Sequence, residues 1–592
     1  MSSYTVVTVA LVAFATAVFL RYANNILIPK PNITITENVK AEYDYVIIGG
    51  GTAGSVVAGR LAEDKTISVL VLESGPDFQD DLDLYMPTKW TELIGSKYDW
   101  HFPMEPQQHA FQGMKGNVYC WPRGHVLGGS GSINLLQYTR GSPYDFDEWE
   151  SAGCQGWGYK DVLPYFLKSE DMSAKNLKDS KYHQTGGKIS VSEVPPSKIA
   201  LRILEAVKEL GHEYGDYNGA RQDVASPIQV NTRNGIRSSA AIEYLKNNGD
   251  NLHVSVKSHV AKIDIVDKTA IGVSYIKDNR KHYVRAKKEV ILSAGSINSP
   301  QILMLSGIGP KNHLEEVGIP VVADLPVGKN LQDHQQILVC VRMKKPEAMT
   351  PAMRGSYASL IEYFVFGTGP LSYAGSDASL FFHLNENKGK SVYPDLQIVF
   401  LPFMLQDLQL NYEDHIAKEM FPADPNENGF CSGIALTHPR SRGTIKLQSK
   451  DPFDYPKVDP QYFADPRDVK DLVEGMKFWE RMMKTDSFRD AEVDVESMKK
   501  EFCSQHKFTS EEYWECVIRH ISITQFHPTS TCKMGPIDRA TTVVGPDLKV
   551  KGISNLRVID ASIFPNVTSG NTNAPTVMVA EKGADMVRGV SK

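Results

Sequence analysis

Residues 42–74 read EYDYVIIGGGTAGSVVAGRLAEDKTISVLVLES. Tyr45 to Ile48 is a short apolar run rich in β-branched residues, which predicts a buried strand. Gly49-Gly50-Gly51-Thr52-Ala53-Gly54 follows at once, and Val56, Val57, Ala58 and Leu61 continue at helical spacing. Ser68 to Leu72 predicts a second strand, ending in Glu73. This is a βαβ unit with G-x-G-x-x-G in its first turn. Gly49 allows the tight turn, Gly51 lets a pyrophosphate approach the backbone, and Gly54 lets helix and strand pack closely. The helix start turns free N–H groups and a positive dipole end toward phosphates. Glu73 lies where an acid can bond ribose hydroxyls. The motif implies a dinucleotide and does not choose FAD over NAD.

The chain has 592 residues, too many for one ordinary core, so two or more domains are expected. A formal charge of −6 argues against a nucleic-acid partner. Seven cysteines form no C-x-x-C pair, which gives no zinc ribbon and no disulfide framework, although Cys503 and Cys516 could pair. Residues 4–20 carry no charge, and as a helix would span about 25 Å, the short limit for a bilayer. Two readings stay open. One is a signal peptide with Ala15-Thr16-Ala17 as its cleavage site. The other is a retained anchor, favoured by the absence of Lys or Arg before the run. Either reading sends the chain to the secretory pathway, secreted or membrane-anchored. Asn32-Ile33-Thr34 and Asn566-Val567-Thr568 are glycosylation sequons, the second expected to stay unmodified because it falls near the site described next.

From Cys120 the chain reads CWPRGHVLGGSGSINLLQYTRG. Its small residues 128–132 leave backbone bare for a planar or phosphorylated ligand. Leu201 to Leu210 predicts an amphipathic helix. Leu252–Val256, Val260–Val266, Ile271–Ile276 and Lys281–Arg285 read as a four-stranded meander, followed by a buried strand Glu289–Ser293 that runs into Gly295-Ser296. Aromatic-rich segments between residues 346 and 425 suit core or an apolar pocket. Leu472, Met476, Trp479 and Met483 mark one helix's buried face. Near the C-terminus, Leu556–Ile559 predicts a strand ended by Asp560, and Pro575–Met586 a helix.

Four ordered blocks, Gly49 to Glu73, Arg123 to Asn134, Gly295 to Gly309 and Phe526 to Asn571, are together similar to the glucose–methanol–choline flavoprotein oxidoreductases, in their animal glucose-dehydrogenase-like branch. The resemblance covers the chain from about Ala41 onward. It implies an α/β FAD-binding domain (βαβ, GxGxxG) built from discontinuous segments, 41–160, 226–335 and 526–592. A second, α+β substrate domain with an antiparallel sheet takes 161–225 and 336–525, and 1–40 is signal or anchor and linker. It also implies FAD. Gly49, Gly51, Thr52, Ala53, Gly54 and Glu73 would hold the ADP half. Arg123, Gly128, Gly129, Ser130 and Asn134 would lie along pyrophosphate and flavin, Val260 would meet the adenine through its backbone, and Asp560, Ala561 and Thr572 would return to the ribityl chain and ring.

The catalytic pair carried over by the resemblance is His527 and Asn571, and no metal is implied. Oxidising an alcohol removes its hydroxyl proton and passes hydride to flavin N5. A neutral imidazole can take that proton, and a carboxamide can donate a hydrogen bond to the developing alkoxide. Ser530 departs from the family's glycine in H-P-x-G-T, which predicts an altered loop beside His527. Ile133 stands where some members join FAD covalently through histidine, so noncovalent flavin is expected. His125 reads as structural, and His101, His334 and His438 carry no role. The expected partners are a small-molecule alcohol and an acceptor, oxygen or quinone-like, with membrane association possible only through residues 4–20. The alternative is a flavin-bound member that has lost turnover and serves as a binding or structural protein.

Overall fold

The computed structural model describes residue 16 and residues 30–590, apart from 385–392, 406–409, 422–423 and 425–426. The 4–20 segment therefore lies outside the described residues except for Thr16. Among the described residues no helix is long and apolar enough to cross a membrane.

Two seven-stranded sheets carry the molecule. The first grows from strand Glu42–Ile48, buried along Val46–Ile48 as its apolar run requires. Strand Val69–Leu72 pairs parallel with it on one side, and Leu252–Ser255 pairs parallel beyond that. On the other side lies Arg280–Leu292, which in turn pairs parallel with Leu556–Val558. Helix Thr52–Leu61 packs against helix Asn573–Arg588, and Arg60 reaches Glu581 of that helix with Nε 2.8 Å from Oε2.

The expected four-stranded meander is corrected here. Leu252–Ser255 is an edge of the parallel sheet, not a hairpin partner. Lys281–Arg285 and Glu289–Ser293 are parts of one strand of 13 residues, Arg280–Leu292. Its first four residues are all exposed beside the antiparallel strand Thr269–Lys277, Tyr283–Lys287 alternate exposed and buried, and its last three residues are fully buried in the parallel sheet. Two environments along one strand gave it two sequence patterns.

The second sheet is antiparallel, joining Ala225–Pro227, Ala378–Phe382, Leu396–Leu401, Gly429–Leu436 and Gln335–Met343 in that order. Ser522–Thr524 and Val493–Asp494 both pair with Gln335–Met343. Helix Pro466–Met483 lays Leu472, Met476, Trp479 and Met483 into the core, and Trp479 Nε1 donates to Ser432 Oγ at 3.0 Å. Residues 357–366, read as an aromatic-rich stretch, form a helix. Cys503 and Cys516 are bonded as their spacing permits. Cys340 and Cys431, which the sequence gave no reason to join, are also bonded, because they face each other in register on neighbouring strands. Asn32 is exposed, whereas Thr568 of the second sequon is buried and Asn566 Nδ2 donates to Glu148 Oε1 at 3.3 Å.

Candidate active site

A cleft runs between the two sheets. Three helices start on its wall, at Gly51, Ala294 and Thr572; the second has its first N–H taken by the Asp560 carboxylate, and the other two carry no side-chain cap. The first N–H groups at Gly51 and Thr572 are the donors an anionic, ribose-bearing ligand needs. The glycines differ in what they do. A Cβ on Gly51 would meet only Gly129 Cα, at 3.8 Å, so its bare face opens on the cleft. A Cβ on Gly54 would lie 1.9 Å from Gly49 O, so Gly54 serves the helix–strand contact and does not line the cleft. Gly128 (φ 94°) is also set back from the wall and donates its N–H to Gly50 O at 2.7 Å. Gly49, Thr52, Ala53, Gly129, Ser130, Asn134, Val260, Ala561 and Thr572 all line the cleft.

Glu73 lines it too, with its oxygens accepting Gly50 N–H at 2.8 Å and Gly75 N–H at 2.7 Å. Burial pushes its carboxyl up to about 7. Asp560 accepts from Gly295 N–H (2.9 Å), Ser299 Oγ (2.6 Å) and Ser562 N–H (2.8 Å), which ties the strand end at 558 to the helix start at 295. Asn134 is oriented by a residue the sequence did not single out. Buried Arg237 donates Nη1 to Asn134 Oδ1 at 2.7 Å and to its carbonyl at 2.8 Å, which leaves the Asn134 amide hydrogens for the cleft. The lone signal for Arg237 was its place after a turn in a polar run, too weak to read. The wall as a whole, with uncapped helix starts, an open glycine back and a buried acid, fits FAD.

His527 and Asn571 come together in the same cleft, 44 residues apart in sequence. Asn571 Nδ2 stands 3.2 Å from His527 Nε2, and Thr139 Oγ1 donates to Asn571 Oδ1 at 3.3 Å. Behind them lies His334, which the sequence left without a role. Its Nε2 is 2.9 Å from the Thr437 carbonyl, and its Nδ1 is 2.9 Å from His527 Nδ1. A carbonyl only accepts, so His334 carries its hydrogen on Nε2. Burial lowers His334 to about 3, leaving it neutral and Nδ1 a lone pair. His527 must then donate from Nδ1. Burial, with His334 and Arg123 nearby, holds His527 well below the usual histidine range, so its Nε2 is also a lone pair. Asp333 fixes the backbone beneath, accepting His527 N–H at 2.7 Å and Thr524 Oγ1 at 2.5 Å as well as the Tyr462 hydroxyl. Arg123 Nη1 donates to the Phe526 carbonyl at 2.7 Å.

Ser530 has a φ of +75°, in the left-handed region that favours glycine, and its N–H donates to Ala561 O at 3.2 Å. Phe526, on the other side of His527, is also left-handed at φ 67°. A serine at this φ carries strain that a glycine would not.

The family model described as GMC oxidoreductase matches residues 43–336 and, in its C-terminal part, 439–580. The chain belongs to the GMC oxidoreductase family. It is similar to glucose dehydrogenase (FAD, quinone) of Drosophila pseudoobscura pseudoobscura, 37% identical over 562 residues, 92% of this chain and 87% of the relative. Alcohol dehydrogenase (acceptor) of Pseudomonas putida is also 37% identical, over 92% of this chain and 95% of its own. Among solved structures, pyridoxine 4-oxidase from Mesorbium loti superposes with a TM-score of 0.79 at 27% identity, over 93% of this chain and all of that one. This GMC oxidoreductase is an enzyme with FAD as cofactor, oxidising alcohol-type substrates, on the two-domain fold described above.

Proposed function

We propose that His527 is the general base and Asn571 the hydrogen-bond donor to the alkoxide in oxidation of a CH–OH group. The observation that carries this reading is the directed chain Asn571 Nδ2–H to His527 Nε2, His527 Nδ1–H to His334, His334 Nε2–H to the Thr437 carbonyl. The one lone pair this chain turns to the cleft, on His527 Nε2, is held by the Asn571 amide, and a substrate hydroxyl must come between the two. A hydroxyl seated against both gives its proton to Nε2 and keeps its oxygen charge next to Nδ2. When bound, FAD accepts the hydride from the carbinol carbon. The residues that would hold it are Gly49, Gly51, Thr52, Ala53, Glu73, Arg123, Gly129, Ser130, Asn134, Val260, Asp560, Ala561 and Thr572, with Gly54 and Gly128 shaping the turns. Ile133 lines the cleft without a nucleophile, in keeping with noncovalent flavin.

Adding alcohol anaerobically to the flavin-loaded protein tests the reading. Bleaching of the flavin bands that survives undiminished in His527→Ala would remove His527 from the mechanism. Failure of a broad alcohol panel to reduce the bound flavin would favour the alternative, a member without turnover, whose one sequence ground is Ser530. Oxygen or a quinone takes the electrons, and peroxide formation against dye reduction separates the two. We propose entry to the secretory pathway on two grounds, the uncharged run 4–20 and the two disulfides.

A further inference from the structure

We propose that the alcohol taken by this cleft is neutral and lipophilic, long-chain or polycyclic, rather than a sugar or a quaternary-ammonium alcohol. The proposal rests on the reading of His527 as the place where the hydroxyl sits. Strand register builds the apolar wall. Leu338 faces Gly433 across one strand pair, and Gly433 faces Val399 across the next. All three line the cleft, joined by Leu401, Leu405 and Ile523. Gly433 has no room for anything larger, because a Cβ there would lie 2.6 Å from Gln336 Oε1. Trp90 and Ile94 close the opposite side.

Charge is missing from that wall. Among the described residues lining the cleft, the Asp, Glu, Lys and Arg side chains are Glu73 and Asp560, bonded to backbone around the glycine turns, and Arg123, bonded to the Phe526 carbonyl beside His527. A quaternary ammonium at His527 would find a guanidinium in place of a carboxylate, and of the aromatic side chains lining the cleft, Trp90, Trp100 and Phe526, Trp100 is packed on His125. Three glutamine amides on the cleft each have one hydrogen committed. Gln336 Nε2 donates to Thr524 O (3.3 Å), Gln525 Nε2 to Gln397 Oε1 (3.2 Å) and Gln137 Nε2 to Ser376 Oγ (2.9 Å). Gln525 Oε1 is a buried acceptor without a partner, room for a single further hydroxyl. A sugar would press most of its hydroxyls against carbon, each losing water without a replacement.

The apolar surface also continues outward. Helix Tyr357–Phe366 exposes Tyr357 (74%) and Phe366 (70%) together with Ile361 and Val365. Just before it, Arg354 Nη2 donates to the Thr88 carbonyl at 3.3 Å, two residues from Trp90, and Trp90 Nε1 donates to Ala374 O at 2.7 Å.

The test uses the full flavin-loaded chain, mixed anaerobically with butanol, hexanol, octanol, D-glucose or choline. Each buried methylene is expected to raise kcat/KM for flavin reduction about fourfold, roughly 200-fold from butanol to octanol. Glucose and choline are expected at least about 100-fold below octanol. A flat alkanol series, or glucose or choline reduced as fast as octanol, overturns the substrate class and leaves the His527 chemistry standing. A second arm needs no turnover. 2-Methyl-2-decanol has no hydrogen on its carbinol carbon, and it should perturb the flavin bands at concentrations about 100-fold below tert-butanol. If no alcohol reduces the flavin, the base assignment fails and this arm alone judges the class. Equal, or absent, perturbation by the two tertiary alcohols overturns it. Leu401→Gln, with the partly exposed Ile94→Asn as the milder variant, should flatten the chain-length slope. An unchanged slope in both counts against the wall described.

Discussion

Along one wall of the cleft the chain presents backbone: Gly49, Gly51, Gly129 and Gly295, with the starts of three helices between them. Along the other it presents side chains, with His527 and Asn571 at one end and Leu338, Val399 and Leu401 spread over the antiparallel sheet. The first wall recognises what all dinucleotides share, phosphate and ribose, and backbone suffices for that. The second must discriminate among alcohols and move a proton, and only side chains do either. Both walls are assembled from segments far apart, but each turn of the nucleotide wall is set by residues next to one another, whereas the side chains of the substrate wall meet only through the sheet.

The comparison breaks most directly at His527. His527→Ala should slow flavin reduction by alcohol about 10²–10⁴-fold while FAD stays bound, measured by anaerobic stopped-flow absorbance. Loss of FAD in that variant would mean the walls are not separable. The pH profile sharpens the same point. Burial holds His527 below the usual histidine range, so its base form persists as pH falls through 6.5. kcat/KM for a non-ionising alcohol should stay level from pH 8 to pH 6 and decline only in more acid solution. A limb centred at 6.5 would show an imidazole open to water.

His334→Phe comes next. It removes the acceptor that keeps the hydrogen on His527 Nδ1, and kcat should drop about 10²-fold with KM little changed, the pattern of a positioning residue. Equal losses in kcat and in thermal stability would reduce His334 to packing. On the backbone wall, two neighbouring glycines should part company. Gly54→Ala drives a Cβ into Gly49 O and should cost about 1–3 kcal/mol of folding stability. Gly51→Ala has space within the protein, so stability should stay within about 1 kcal/mol while FAD affinity falls, read by flavin retention on gel filtration. The smallest effect is expected at Ser530→Gly, which relieves a left-handed serine and should stabilise by about 1 kcal/mol, seen as a rise in Tm.

What the sequence made legible follows the same division. The first strand, glycine turn and helix were readable because each residue's task is set by neighbours within a few positions. His527 and Asn571 were found through resemblance, since no spacing rule links residues 44 apart. His334 escaped because its meaning lies in a contact across 193 residues. Arg237 escaped because a buried guanidinium on Asn134 looks, in sequence, like any arginine beside a turn. The long strand Arg280–Leu292 was split in two because a period-2 pattern gives way to continuous burial halfway along it. Cys340 and Cys431 gave no hint of their bond, since pairing follows register and register is set by the whole sheet.

Arg280–Leu292 has one consequence for biosynthesis. Its far edge is completed by Leu556–Val558, and helix Asn573–Arg588 closes over helix Thr52–Leu61. The parallel sheet begun by residue 42 thus waits for residues about 500 positions later to leave the ribosome. A nascent chain stopped before residue 550 lacks the strand, the Asp560 carboxylate and the Thr572 helix start, and cannot form the complete cofactor cradle. Flavin loading is in this way a late checkpoint on full-length synthesis, and premature termination yields protein without colour.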